Sequence, residues 1–221
     1  MEQWYLYKKK ADFTKIGEKF QIDPVIARLI RNRDVIGDEE IHKYLYGNLS
    51  DISDPFLMKG VREGVDIIRE KIRDRKTIRI ISDYDVDGVV SNYILWKAIY
   101  DLGGMIDFQI PDRMKDGYGI NENIIEKAVE DQIDTILTCD NGIAASEAIR
   151  FGKEHGLTMI ITDHHDVPFI LNEDGSKEEI LPPADVVINP KQKECKYPYP
   201  LLCGAGVAFQ FVRALYKSMG E

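Results

Sequence analysis

The sequence predicts an α/β fold in which a parallel sheet is covered by helices on both faces. Two observations carry this. From residue 77 onward, short apolar runs alternate with longer amphipathic stretches. The runs are near-continuous Ile, Val and Leu, as strands buried on both faces require. A third regularity concerns position: each run ends in a polar cluster, and open parallel sheets bind ligands outside the carboxyl ends of their strands. The arrangement is Rossmann-like and is preceded by a helical N-terminal segment.

Residues 1–75 read as that helical segment, packed on the core. Phe13, Ile16 and Phe20, then Val25, Ile26, Leu29 and Ile30, recur at helical spacing, and Asp23-Pro24 supplies an N-cap followed by proline at the first helical position. Asp38 opens another short helix with Tyr44 and Leu45 on its apolar side, and 51–55 is a turn-rich connection. From Val61 a longer helix places Val65, Ile68 and Ile72 on one face. Its basic residues, Arg62, Arg69, Lys71, Arg73, Arg75 and Lys76, would suit phosphates, but alternation with Glu and Asp reads more simply as a solvated face.

Residues 76–221 form the α/β part. Strands are predicted at 77–82, 105–110, 133–139, 157–162 and 185–188, with helices at 89–102, 121–131, 144–155 and 204–219. The polar stretch 172–183, with Asp174-Gly175 and Pro182-Pro183, reads as a surface loop or hairpin.

Composition narrows the class. With 44% hydrophobic and 30% charged residues the chain resembles an ordinary globular protein. No apolar run approaches the roughly 20 residues that span a bilayer. The N-terminus lacks the order of a signal peptide, so a cytoplasmic location without membrane contact is expected. Three cysteines without a C-x-x-C pair argue for reduced thiols rather than structural zinc. A net charge of −9 argues against a surface coated for nucleic acid, though not against a locally basic groove.

The chemistry gathers at the five strand ends. Asp83, Asp85 and Asp87, alternating before Gly88, repel one another unless a cation sits among them. An EF-hand calcium loop opens in the same way, but its twelfth position needs Glu and here holds Ile94. Hard divalent ions such as Mg²⁺ or Mn²⁺ fit better. Cys139-Asp140-Asn141-Gly142 follows the third strand, where Asp140 is a candidate bridging carboxylate. Asp163-His164-His165 follows the fourth and offers one imidazole ligand and one group facing substrate, with Asp163 orienting its neighbour. One imidazole among carboxylates suits Mn²⁺ better than Zn²⁺. Arg113 and Gly117-Tyr118-Gly119, after the second strand, have the makings of a phosphate-binding rim. Asn189-Pro190-Lys191 follows the fifth.

Ser-Asp-Tyr-Asp-Val-Asp-Gly, Ile-Pro-Asp-Arg-x₃-Gly-Tyr-Gly, Thr-Cys-Asp-Asn-Gly-Ile and Asp-His-His, in this order, resemble the DHH phosphoesterase superfamily. Within it, 188–209 and the N-terminal Arg31-Asn32-Arg33-Asp34 and Asp54-Pro55-Phe56-Leu57 are similar to the RecJ family of single-strand-specific 5′→3′ DNA exonucleases. The resemblance implies Asp85, Asp87, Asp140 and His164 as metal ligands, with Asp140 shared between two Mn²⁺ or Mg²⁺ ions. It further implies Asp83 as a nearby acidic partner, His165 facing the scissile phosphate, and Arg113 and Tyr118 holding the nucleotide backbone. Two ions about 4 Å apart would activate a water and neutralise charge on the phosphoryl oxygens. Single-stranded DNA is the implied partner, with a helicase or single-strand-binding protein as further candidates, in DNA repair and recombination. The family also implies a further metal-binding aspartate and a second domain beyond the glycine-rich helix, so 76–221 is expected to be a truncated catalytic domain.

Two other readings remain. A DHH phosphoesterase for short oligonucleotides, cyclic dinucleotides or pyrophosphate usually carries a His-x₃-Asp-x-Asp opening, whereas Ile81 stands four residues before Asp85. A non-catalytic binding module would have shed some of these acids, and all are present.

Overall fold

The computed structural model describes residues 3–5, 9–114 and 119–220. The chain forms two compact units, Met1–Ser53 and Asp54–Glu221. In the first, α1 (Phe13–Phe20), α2 (Pro24–Asn32) and α3 (Asp38–Tyr46) enclose a small core of Phe20, Ile30 and Ile41. Asp23 caps α2 by accepting from the Val25 N–H at 2.7 Å, with Pro24 at the first helical position. Val25, Ile26 and Leu29, apolar and at helical spacing, lie on its exposed side.

The second unit begins with α4 (Val61–Arg73) and continues through β1 (Thr77–Ser82), α5 (Val86–Asp101), β2 (Met105–Gln109), α6 (Glu122–Glu130), β3 (Thr135–Cys139), α7 (Ser146–Glu154) and β4 (Thr158–Thr162). A hairpin of β5 (Phe169–Leu171) and β6 (Lys177–Glu179) follows, then β7 (Val186–Ile188) and α8 (Gly204–Met219). The unit boundary falls at Ser53/Asp54, whereas the change of rhythm in the sequence placed it at 75/76. The reason is α4: Val61, Val65, Ile68 and Ile72 join Phe211 and Leu215 of α8 in one core layer. Its basic residues turn outward to local partners; Lys71 and Lys76 both pair with Asp134.

Five strands pair in parallel in the order β2-β1-β3-β4-β7. Alternate residues feed two cores. Ile78, Ile80, Leu137, Cys139 and Ile160 face the layer of α4, α5 and α8, while Ile81, Ile136 and Ile161 face α6 and α7. This is the Rossmann-like sheet covered on both faces. Because β2 lies on one side of β1 and β3 on the other, the strand order reverses between β1 and β3. A crevice opens above their carboxyl ends, where such sheets bind ligands.

Candidate metal centre

The carboxyl end of β1 supplies the first wall. Asp83, buried, accepts from the Tyr84 N–H at 2.7 Å, and Asp85 caps α5 by accepting from the Gly88 N–H at 2.9 Å. The helix therefore starts at Val86, three residues before the apolar pattern predicts, because a candidate ligand doubles as its cap. Gly88 is required there: a Cβ would lie 2.4 Å from the Asp83 carbonyl oxygen.

β3 supplies the second wall. Its ladder runs on past the strand, the Asp140 N–H donating to the Thr162 carbonyl, so Asp140 is rigidly held. Asp140 has φ +59°, a left-handed conformation that a short polar side chain tolerates. It is 2% exposed, and burial followed by the charges of Asp87 and Asp85 pushes its carboxyl up to about 7. Its Oδ1 receives no hydrogen bond, although His164 Nε2 lies 2.9 Å away.

The third wall follows β4. Asp163, also buried, accepts from the N–H groups of His164 at 2.7 Å, His165 at 3.1 Å and Ile143 at 2.9 Å. Its Oδ1 sits 2.8 Å from His165 Nδ1, so that ring nitrogen is engaged and Nε2 is left for another partner. Burial raises the Asp163 carboxyl, but these hydrogen bonds outweigh it and leave it below the usual carboxylate range. The same contact raises His165. Asn189, fully buried after β7, donates to the His165 carbonyl at 2.9 Å.

Among the described residues, two trios place donor atoms within 4.8 Å of one another: Asp83, Asp85 and Asp140, and Asp140, His164 and His165. Asp140 belongs to both. The expected ligands are thus brought to one spot, with two differences: His165, expected to face substrate, joins the second trio, and the acids of the first wall exchange places. Asp83, expected as a neighbour, stands with Asp85 and Asp140, while Asp87 lies 3.5 Å from His164 Nε2 with both oxygens engaged. They accept from the N–H groups of Gly204 at 2.6 Å and Ala205 at 2.8 Å, the first residues of α8. This contact joins residues 117 positions apart.

Arg113 is exposed after β2, its guanidinium carbon 5.7 Å from the Tyr84 ring centre, on the Asp83–Asp85 side of the crevice. Tyr118 lies outside the described residues. A cleft of about 360 Å³ opens beside His165, lined by Gly119, Ile120, Asn141, Gly142 and Asp163 among others. A larger one, about 750 Å³, lies at the starts of α6 and α7, and its described lining includes none of the candidate ligands. The smaller cleft borders the donor cluster through His165 and Asp163, which makes it the one of the two that adjoins the candidate ligands.

The residues suit a hard divalent ion. A buried carboxylate oxygen without a donor, facing an imidazole nitrogen and ringed by acids, is what a bound cation resolves. The donor set, carboxylates plus imidazole without thiolate, matches Mn²⁺ or Mg²⁺.

Comparison with known proteins identifies the family. Two curated relatives, both single-stranded-DNA-specific exonucleases RecJ, align along most of the chain. That of Bacillus subtilis is 37% identical over 99% of this chain, and that of Haemophilus influenzae 32% identical over 93%. The chain spans 27% and 34% of their respective lengths. Among solved structures, exonuclease RecJ bound to manganese superposes with TM-score 0.61 at 32% identity, covering 74% of this chain and 39% of its own. RecJ from Thermus thermophilus in complex with Mn²⁺ gives 0.64 at 26% identity, covering 94% and 27%. Residues 77–221 match the DHH family, N-terminal domain, and the chain belongs to that family.

Proposed function

We propose that this chain carries the metal-binding half of a metal-dependent phosphodiesterase that degrades single-stranded DNA from its 5′ end, in DNA repair and recombination. The single observation that carries the reading is Asp140, buried and shared by two donor trios, with one carboxylate oxygen lacking a donor. The similarity to RecJ exonucleases supports the substrate class.

Asp85, Asp140 and His164 would hold two ions between them, with Asp140 common to both and Asp83 and Asp87 completing the acidic wall. Held by these donors, Mn²⁺ or Mg²⁺ would lower the pKa of water so that hydroxide is available to attack phosphorus, and would supply positive charge for the phosphoryl oxygens. His165, oriented by Asp163 through Nδ1, presents Nε2 to the scissile phosphate as a hydrogen-bond donor. Arg113 offers a planar cation to the neighbouring phosphate, and the family resemblance of the sequence adds Tyr118 as a hydroxyl donor. A helicase or single-strand-binding protein that delivers the strand is a fitting partner.

The test is hydrolysis with Mn²⁺ of single strands labelled at either end, against dinucleotides and pyrophosphate. Release of mononucleotides from the 5′ end, lost in Asp140→Ala, is expected. Preference for pyrophosphate, or near-normal turnover by Asp140→Ala, contradicts the reading.

A further inference from the structure

The start of α8 belongs to none of the motifs that define the centre, yet it touches two of its carboxylates. The Gly204 and Ala205 N–H groups each take one oxygen of Asp87, at 2.6 and 2.8 Å. Short bonds from backbone donors to a charged acceptor are the strong kind, and the helix dipole adds to them. The same glycine lies flush against Asp140. A Cβ at position 204 would stand 2.6 Å from Asp140 Oδ1 and 2.8 Å from its Cβ and Cγ. Gly204 has none of the positive φ that marks other glycines of the chain. Its lack of a side chain therefore answers to Asp140, not to the backbone.

We propose that the first two residues of α8 are positioning residues of the metal centre: the Gly204 and Ala205 N–H groups orient Asp87, and the bare Cα of Gly204 leaves Asp140 the room to ligate. This rests on the metal-site reading above. The arrangement fixes the Asp87 carboxylate in place before an ion arrives, beside Asp85 and Asp140. It ties the centre to a helix contributed by the far end of the unit.

The two halves of the idea separate by substitution. Gly204→Ala adds bulk against Asp140 and keeps the N–H. Ala205→Pro replaces one N–H to Asp87 by a ring carbon that displaces that carboxylate, at a first-turn position where the helix itself tolerates proline. Gly206→Ala is the control, since its Cβ would meet Leu202 and Cys203 and neither carboxylate. Alanine suits a helix better than glycine, so a purely structural Gly204 predicts an unchanged or more stable Gly204→Ala protein with unaltered metal affinity.

The experiment is Mn²⁺ titration of the metal-free chain, read by the EPR signal of free Mn²⁺, with thermal melts in EDTA alongside. We expect Gly204→Ala and Ala205→Pro each to weaken Mn²⁺ binding by about 10–100-fold, the range for groups that orient metal ligands. Gly206→Ala should bind as the parent does. Parent-like binding by both Gly204→Ala and Ala205→Pro overturns the proposal and leaves the metal site standing. Loss of binding in Gly206→Ala alike overturns it too, because the effect would then belong to the helix as a whole. If Gly204→Ala fails to fold, Ala205→Pro decides alone. A parent chain that binds no Mn²⁺ overturns the metal-site reading itself, and this inference with it.

Discussion

Asp140→Asn should stabilise the metal-free protein while destroying its metal site. Asparagine keeps the shape of the side chain and is at ease at φ +59°. The substitution removes one negative charge from a buried position beside Asp85 and Asp87. The wild-type carboxyl is raised from 3.8 to about 7, chiefly by burial. At about 1.4 kcal/mol per pH unit, the ionised folded form is disfavoured by up to about 4 kcal/mol. Because the folded value lies above the unfolded one, the folded state holds the extra proton between these limits, and wild-type stability falls as pH rises from about 4 to 7. Asparagine does not titrate, so the variant escapes that fall. Urea denaturation in EDTA should show a gain of about 2–4 kcal/mol at pH 8, lowered from the ceiling because the crevice admits water, and little difference at pH 4. With Mn²⁺ the order should reverse, since only the wild type gains from binding. A variant less stable than wild type at pH 8 in EDTA would refute the argument that Asp140 is held at a cost for a cation.

Two further outcomes follow from the same geometry. Asp163→Asn should lower the His165 pKa, because the carboxylate contact is what raises it, and should cost about 1–3 kcal/mol by weakening the acceptor for three backbone N–H groups; NMR titration of the imidazole and chemical denaturation check both, and an unmoved His165 would contradict the assignment. Arg79→Met on β1 removes a buried guanidinium clamped at 2.6–2.8 Å by Asp107 and Asp131, yet the two acids are nearly half exposed and can rehydrate. A loss of about 1–3 kcal/mol is therefore expected, below the 3–5 kcal/mol of a fully buried pair, and a larger loss in denaturation would show that the acids are trapped.

Much of this was open to sequence reading because the relevant forces are local. Strands buried on both faces need unbroken apolar runs, so β1, β3 and β4 announce themselves, and the polar residues that end them fall at the crevice by the geometry of parallel sheets. Asp85, Asp140, Asp163 and His164 were legible for that reason. What escaped depends on long-range packing. The unit boundary moved because α4 shares a core with α8, and nothing in the pattern around Val65 or Ile68 says so. Asp87 reads as one more acid of an acidic run, and its engagement by α8 shows only when Gly204 arrives beside it. The glycine-rich stretch 204–206 was the available signal, a helix opening with three small residues where bulk would be expected to pack. The polar stretch 172–183, read as a surface loop or hairpin, holds the turn and second strand of a hairpin, while exposed Phe169, Ile170 and Leu171 form its first strand, β5, ahead of that stretch; a two-stranded ribbon leaves no periodic buried face to mark β5.

The central claim is that Asp140 is the shared wall of a two-cation site. Crystals of the metal-free chain soaked in Mn²⁺ and measured at the manganese edge test it most directly. The account predicts two anomalous peaks flanking the Asp140 carboxylate, one toward Asp83 and Asp85 and the other toward His164. Peaks elsewhere on the surface, with none in contact with Asp140, would contradict it.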